Sequence, residues 1–345
     1  MESNSSPSVN LLAYLRSKSS IDYDALSLQV ATDLGPFVDC TSNQWEAYSQ
    51  LSNGENAALV RESVDLARRL ELADVSVKEL AVEIAMIRLS LRVAPLISGS
   101  IHVMCNPLYS WDTEQVFETG HRFHKLCRIL DPDFELSRLV MKVPSTWQGL
   151  RACGRLGADG IKTLATTLFT MEQVVLAGEA GCVSVSPFAH ELRAHLDPSW
   201  VISTGRACLA ARGSYHDSAP VLDLVSRAQQ YYRQHGIPTK VKACALMTTD
   251  EIISLAGVDA MTLPAEVLRE LASLTDSQEG LEARSVFRGA APAPVPRLSY
   301  MDDEAGFLRA FTANGRGKAK TEDALAIFCG FQMQAEELMT SEMED

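Results

Sequence analysis

The sequence SRLVMKVPSTWQG, residues 137–149, contains one lysine in the middle of an apolar run. Residues 139–143 favour an extended strand, and Lys142 is the charged residue within it. Ser145 and Gln148 follow with the spacing of a capping box, which predicts the start of a helix. The stretch therefore predicts a buried β-strand that leads into an α-helix.

Further apolar or β-branched runs repeat this strand-to-helix pattern along the chain. Between them lie segments such as 75–96 and 221–235, where apolar residues recur every three or four positions, as is typical of amphipathic helices. Thr170 with Gln173 and Thr248 with Glu251 again have the spacing of a capping box. We expect eight strands near residues 19–24, 37–41, 99–105, 139–143, 161–166, 182–186, 240–245 and 258–263. The alternation predicts an α/β fold, a (β/α)8 TIM barrel with additional C-terminal helices.

The 345 residues are sufficient for one such barrel domain with extra helices. Residues 289–296 read GAAPAPVP and cannot sustain a helix, because proline lacks the amide donor and clashes with the preceding turn. Residues 322–339 return to a helical period. We therefore predict a single domain over residues 1–345, with a barrel core at 15–288, a connector at 289–300 and a helical segment at 301–341 that packs on the barrel.

Composition disfavours several classes of function. The formal net charge is −13, and no basic run is interleaved with aromatic residues, so a nucleic acid partner is not expected. The polar N-terminus lacks the pattern of a signal peptide, and no apolar run approaches the roughly 20 residues of a membrane span. We expect a cytoplasmic protein without a membrane partner.

The sequence also lacks the signatures of metal and nucleotide enzymes. Its eight cysteines are scattered without CxxC or CxxH spacing, which predicts no metal site. A Walker loop, a GxGxxG after the first strand, an HExxH and a GxSxG elbow are absent as well. Nucleotide-dependent enzymes and serine hydrolases are therefore disfavoured.

Lys142 is the residue that points most directly to chemistry. An unpaired ammonium inside a barrel strand costs several kcal/mol, so burial favours the neutral amine, which is the form that attacks a carbonyl. The alternative is a lysine near a strand end whose ammonium reaches water along its own stem.

The residues around Lys142 resemble those of transaldolases. KVPSTWQG is similar to the Schiff-base strand of that family, and GI, TLF, EAG and SPF follow at the spacing the family uses. YYRQHG, EIISLAG and the C-terminal helix extend the resemblance from about residue 15 to about residue 339. The resemblance implies an imine on Lys142 and a reaction without a metal or organic cofactor.

The resemblance implies roles for four further residues. Asp24 matches the aspartate that moves a proton as a carbon–carbon bond breaks or forms, and Asn43 matches an asparagine that binds substrate hydroxyls. Thr166 matches a threonine that helps to hold the catalytic water, and Ser186 a serine that lines the sugar pocket. From the residues alone, Asp24 could equally be a helix cap or loop acid, and Asn43 an ordinary turn residue.

Four positions depart from the family pattern. Met104 stands where the family has a glutamate that activates water, and Leu164 where it has an asparagine. Glu191 and Met247 replace two arginines that would bind a phosphate dianion. The gained apolar side chains predict a more adaptable, less polar pocket, so a sugar phosphate is disfavoured as substrate.

Three nearby residues could alter the pocket further. His190 could replace the missing acid or base, or be a core histidine with satisfied hydrogen bonds. His102 shares the strand parity of Met104 but is expected in the core. Arg193 could supply a cation, although a shift of two positions along a helix turns its side chain to another face.

The first hypothesis is an aldol-type transferase or lyase, in which Lys142 condenses with a small carbonyl substrate and Asp24 moves the proton, in a setting of specialised metabolism. The second is an ordinary transaldolase of the pentose phosphate pathway, which moves a dihydroxyacetone unit between sugar phosphates. The third is a non-catalytic barrel that serves as a binding or scaffold protein. The oligomeric state stays open, a homodimer included.

Overall fold

A computed structural model describes residues 8–196, 220–289, 293–313 and 315–344. In chain order its strands are β1 (Ser8–Asn10), β2 (Ser20–Asp24), β3 (Cys40–Thr41), β4 (Ile101–Met104), β5 (Leu139–Pro144), β6 (Lys162–Leu168), β7 (Ser184–Pro187), β8 (Lys240–Ala243), β9 (Ala260–Leu263) and β10 (Thr275–Ser277). Strands β2 to β9 are parallel to their neighbours and close into a barrel, while β1 pairs antiparallel with β10 outside it. The predicted (β/α)8 barrel is confirmed, and each of the eight predicted runs overlaps a barrel strand.

Helices follow the strands and surround the barrel. They are α1 (Leu11–Lys18), α2 (Leu28–Leu34), α3 (Gln44–Leu51), α4 (Ala57–Leu70), α5 (Val77–Val93), α6 (Thr113–Leu130), α7 (Trp147–Ala158), α8 (Met171–Glu179), α9 (Arg193–Leu196), α10 (Asp223–His235), α11 (Thr249–Ser254), α12 (Ala265–Ser273), α13 (Gln278–Arg284), α14 (Glu304–Thr312) and α15 (Arg316–Glu344). The helical segments predicted at 75–96 and 221–235 correspond to α5 and α10. Within the described ranges, no helix is long and apolar enough to cross a membrane.

Two of the three predicted capping boxes are present, at Thr170 for α8 and at Thr248 for α11. The third, Ser145 with Gln148, is wrong by one residue. Ser145 continues the extended backbone and donates its hydroxyl to the Thr166 carbonyl at 2.7 Å. Thr146 caps α7 instead, accepting from the Gly149 amide at 2.9 Å. A Cβ at position 149 would lie 2.4 Å from the Pro144 carbonyl oxygen, so glycine occupies the position where a capping box has its Glu or Gln.

Side chains from alternate strands meet inside the barrel, as expected for this fold. Thr41 on β3 and Thr262 on β9, two strands apart, have their hydroxyl oxygens 2.6 Å from each other. Lys242 on β8 likewise reaches across β9 to form an ion pair with Asp22 on β2. Since Asp22 precedes Asp24 by two residues on β2, this ion pair lies nearer the N-terminal end of the barrel than Asp24 does.

Asp22, Asp39, His102 and Lys242 form a buried charge cluster at that level. The Lys242 ammonium also lies 2.9 Å from Asp39, and His102 Nε2 lies 3.2 Å from the same carboxylate. Burial lowers the pKa of His102, and the Lys242 charge lowers it further against the opposing effect of Asp39. His102 is therefore a core residue held in a polar network, as its position near the strand start predicts.

The C-terminal helix α15 lies against α3, α4 and α5. Its Phe331 ring contacts Tyr48 of α3 at a centroid distance of 6.0 Å, and its Glu336 forms an ion pair with Lys78 of α5 at 3.1 Å. Near its start, Thr321 accepts a hydrogen bond from Gln173 of α8 at 3.2 Å. These contacts hold α15 against the outside of the barrel, next to the helix that follows β3.

Candidate active site

Lys142 lies in the middle of β5 and is only 4% exposed. Its ladder neighbours are Met104 on β4 and Leu164 on β6, both fully buried, so apolar side chains flank it on the two adjoining strands. The ammonium nitrogen donates to the Ser42 carbonyl oxygen at 3.2 Å. The lysine is therefore held inside the barrel and does not extend along the surface to bulk water.

Asp24 ends β2 and faces the same space. Its Oδ1 accepts a hydrogen bond of 2.5 Å from the Thr41 hydroxyl, which in turn contacts Thr262. Asp24, Thr262 and Lys142 line one cavity of about 90 Å³. Because β2 and β9 end here, and β3 leads into α3 here, the cavity lies at the C-terminal end of the barrel, where enzymes of this fold carry their sites.

Asn43 contributes to the same cavity from the start of α3. Its Oδ1 caps the helix by accepting from the Glu46 amide at 3.0 Å. This capping role was not among the alternatives predicted for Asn43, and it leaves the side-chain NH2 as a donor at the cavity wall. The structure therefore brings together Lys142, Asp24 and Asn43.

Thr166 on β6 and Ser186 on β7 are completely buried in the barrel. Among the described residues, neither hydroxyl finds a hydrogen-bond partner. Buried hydroxyls without a partner are uncommon, because desolvation then goes uncompensated. The described lining of the cavity includes neither of these two residues.

His190 and Met247 lie away from the described cavity wall. The His190 Nε2 is 3.0 Å from Glu251, whose carboxylate also accepts from the Met247 backbone amide at 2.8 Å. Burial alone would raise the pKa of Glu251, but the hydrogen bond and charge of His190, together with the backbone amides, lower it. His190 and Met247 therefore contact the start of α11. Met104 and Leu164 are likewise not among the described residues that line the cavity.

The cations nearest the expected phosphate end are paired with acids. Glu191 lies 3.8 Å from Lys320 of α15, and Arg193 forms an ion pair with Asp323 of the same helix. Lys142 is the one Lys or Arg among the described residues that line the cavity. The described part of the chain also contains no cluster of His, Cys, Asp and Glu side chains suited to a metal ion.

Sequence reasoning missed the apolar wall of the cavity. It is formed by Trp45, Phe188, Leu192, Leu246 and Phe328. Trp45 lies two residues after Asn43 in the sequence, and this closeness to a predicted site residue could have indicated its place in the cavity wall. Phe328 belongs to α15, and nothing in the local pattern of a helix predicts which of its residues reaches a site elsewhere in the fold.

The thiol of Cys244 also lines the cavity. Burial raises the pKa of this thiol, the nearby Lys142 opposes the increase, and Asp24 adds to it. The same three groups thus interact electrostatically across the cavity. A thiol with a raised pKa stays protonated at neutral pH, so Cys244 behaves as an apolar wall residue.

Glu46 supports the Asp24 segment from α3. Its Oε1 accepts from the backbone amide of Leu26, two residues after Asp24, at 2.9 Å. Burial raises the pKa of Glu46 to about 7, and the Asp24 charge contributes to the increase. The carboxyl thus titrates near neutral pH beside one of the candidate catalytic residues.

This raised pKa predicts a pH-dependent stability. The unfolded chain releases the Glu46 proton near pH 4.5 and the folded chain near pH 7. The folded state is therefore favoured at low pH, and that advantage is lost as the pH rises from 4.5 through 7. Between pH 5 and pH 8, Glu46→Gln should gain about 1–3 kcal/mol of unfolding free energy relative to wild type.

Urea unfolding of both proteins at the two pH values measures this difference. The buried Glu83 also has a pKa raised to about 7 by burial, but it is present in both proteins and cancels. Equal pH dependence of the two proteins would contradict the assignment.

A closed barrel with a buried lysine and a carboxylate at its C-terminal mouth defines a class of barrel enzyme, and comparison with known proteins identifies the family. The family model described as transaldolase/fructose-6-phosphate aldolase matches residues 20–297. A transaldolase of Pseudoalteromonas atlantica is 28% identical over 250 residues, which are 72% of this chain and 73% of that protein. A transaldolase of Edwardsiella ictaluri is 30% identical over 257 residues, 73% and 74% of the two chains.

A third transaldolase, from Yersinia pseudotuberculosis, is 29% identical over 269 residues, 76% of this chain and 79% of that protein. The chain belongs to the transaldolase/fructose-6-phosphate aldolase family, as a divergent member. The resemblance predicted from KVPSTWQG is thereby confirmed, and membership supports an enzyme of the aldolase or transferase type.

Proposed function

We propose that this protein is a Schiff-base enzyme that makes or breaks a carbon–carbon bond in a carbonyl substrate that lacks a phosphate group. The observation that carries the proposal is the shared cavity of Lys142 and Asp24, a buried amine and a carboxylate at the C-terminal mouth of the barrel. An amine and an acid facing one space are the minimum that aldol chemistry requires.

In the proposed reaction the Lys142 amine adds to a ketone carbonyl, and loss of water gives an iminium. Asp24 accepts the proton of the β-hydroxyl group as the carbon–carbon bond breaks, an aldehyde leaves, and the bonding electrons remain in an enamine. Addition of the enamine carbon to an acceptor aldehyde returns that proton to the new hydroxyl, and water then releases the product from the lysine. The iminium itself is the electron sink of these steps.

The side chains that flank the lysine support an unusual substrate. Met104 and Leu164 offer no hydrogen bond to substrate or water on the two neighbouring strands. The unpartnered hydroxyl of Thr166 is the group we assign to the water that hydrolyses the imine, and that of Ser186 to a substrate hydroxyl. A hydroxyl group cannot take the proton of that water as a glutamate would, and Met104 and Leu164 cannot do so either. We therefore expect slow hydrolysis of the imine.

Borohydride trapping tests the proposal. The protein is incubated with dihydroxyacetone and sodium borohydride, digested, and mapped by mass spectrometry. We expect a reduced adduct on the peptide that contains Lys142. An adduct confined to other lysines, or none at all, would refute the assigned nucleophile.

An ordinary transaldolase is the second candidate, favoured by the names of the curated relatives. It differs in requiring a site for the phosphate of its substrates, and the acids paired with Lys320 and Arg193 argue against one. Robust turnover of fructose 6-phosphate with erythrose 4-phosphate would favour this candidate over the first.

A further inference from the structure

The wall of the cavity around Lys142 combines two kinds of side chain. Besides the lysine, it carries polar groups from Asp24, Asn43, Thr262, His195 and Glu266, together with the aromatic and aliphatic side chains described above. Trp45 is 38% exposed, which leaves a large part of its indole ring uncovered by the protein. An apolar surface inside a concave site gains free energy when a ligand removes it from water.

The two helices that carry Trp45 and Phe328 contact each other directly. Gln44 of α3 lies 3.5 Å from Gln332 of α15, and the Tyr48 and Phe331 rings touch one turn further along α3. Trp45 and Phe328, each about one turn from this contact on α3 and α15, line the same cavity. These contacts hold the backbone at Trp45 and Phe328 in place before a ligand binds, which lowers the entropy lost on binding.

Among the residues that the structure describes, the charges around the cavity disfavour an anionic ligand. Asp24 and Glu266 both belong to the described wall, so its formal charge with Lys142 is not positive. The neighbouring cations Lys320 and Arg193 are already neutralised by Glu191 and Asp323. Binding a phosphate there would require those ion pairs to break, whereas an uncharged group would leave them intact.

We propose that the non-reacting part of the substrate is an uncharged aromatic or branched hydrocarbon group, which packs against Trp45, Phe188 and Phe328. The inference that this substrate carries a carbonyl group rests on the function proposed for Lys142. The apolar subsite stands independently of it, because its wall does not require the lysine to react.

Binding of two compounds that cannot form an imine tests the subsite alone. Isothermal titration of the full-length protein with 3-phenylpropan-1-ol and with glycerol 3-phosphate compares a ring with a phosphate of similar reach. We expect the phenyl compound to bind at least about tenfold more tightly. Tighter binding of glycerol 3-phosphate, or no binding of the phenyl compound, would overturn the proposal.

A matched pair of tryptophan variants locates the binding. Trp45→Ala should weaken binding of 3-phenylpropan-1-ol by about tenfold, because the largest of the three aromatic side chains against the ring is lost. Trp111→Ala removes a tryptophan that is 49% exposed and lies outside the described cavity wall, and it should change nothing. Equal effects of the two substitutions would place the ligand elsewhere and overturn the assignment.

Failure of this proposal and failure of the proposed function give different results. Phenyl binding at Trp45 without a trapped adduct on Lys142 would leave a binding site and remove the chemistry. A trapped adduct on Lys142 together with preferred phosphate binding would leave the chemistry and remove the apolar substrate.

Discussion

Lys142→Met should abolish the borohydride-trapped adduct and lower any carbon–carbon bond turnover by at least about 10,000-fold. Methionine has a similar length and volume but no nucleophile, so the covalent intermediate cannot form. The substitution should cost little stability, because Met104 and Leu164 already provide apolar neighbours and the amine makes one hydrogen bond, to Ser42, among the described contacts. Loss of activity with an unchanged melting temperature would separate chemistry from folding.

Lys162→Met is the matched control for that experiment. Lys162 begins the neighbouring strand β6, is exposed, and donates to the Ser137 carbonyl at 2.7 Å at the opposite end of the barrel. This variant should retain the adduct and the turnover of the wild type. An adduct that survives in Lys142→Met but disappears in Lys162→Met would reverse the assignment.

Much of the fold was predictable because barrel strands are buried on both faces and appear as continuous apolar runs. The weakest of them shows the limit of this signal. Residues 37–41 were predicted as one strand, but β3 contains only Cys40 and Thr41. Phe37 makes an isolated bridge to Ile97, and the chain bends at Val38 before β3 begins. The apolar pattern detects burial, and it does not report where hydrogen bonding between strands begins.

Side-chain direction was predictable within strands and not beyond their ends. Lys142, Asp24 and Thr166 lie inside the barrel as strand parity requires. Met247 lies four residues after the end of β8, and Ala245 between them has a φ of 54°, a left-handed conformation that turns the chain. Parity therefore cannot be extended to Met247, and its backbone amide instead meets the carboxylate of Glu251.

Contacts between distant parts of the chain were out of reach of sequence reasoning. Lys242, in the run KVKA, resembles any partly exposed strand lysine, and its partner Asp22 is 220 residues away. The position of Phe328 in the cavity likewise depends on how α15 docks against α3. Local patterns carry information over a few residues, whereas these pairings follow from the closure of the whole barrel.

The buried charge cluster leads to the second large prediction. Lys242→Met should lower the free energy of unfolding by about 3–5 kcal/mol at pH 7, because the carboxylates of Asp22 and Asp39 lose their shared cation inside the barrel. Burial alone would raise the pKa of Asp39, but the hydrogen bond from His102 and the Lys242 charge hold it well below its usual range. Asp39 thus stabilises the fold above about pH 4, and this contribution disappears as the pH falls further.

The pH dependence of the variant follows from the same carboxylates. Without Lys242 the repulsion is relieved when a carboxylate, or His102 beside Asp39, binds a proton, so the deficit measured by urea unfolding should shrink between pH 7 and pH 4.5. The double variant Asp22→Asn with Lys242→Met removes the fully buried charge together with its cation but keeps an oxygen that can accept from the Asp39 amide, and it should recover most of the lost stability. Asp39 keeps its hydrogen bonds to the Ser100 amide and to His102 in that background. A single variant that loses less than about 1 kcal/mol would mean that the cluster is solvated like a surface ion pair, since that is the usual value of such pairs.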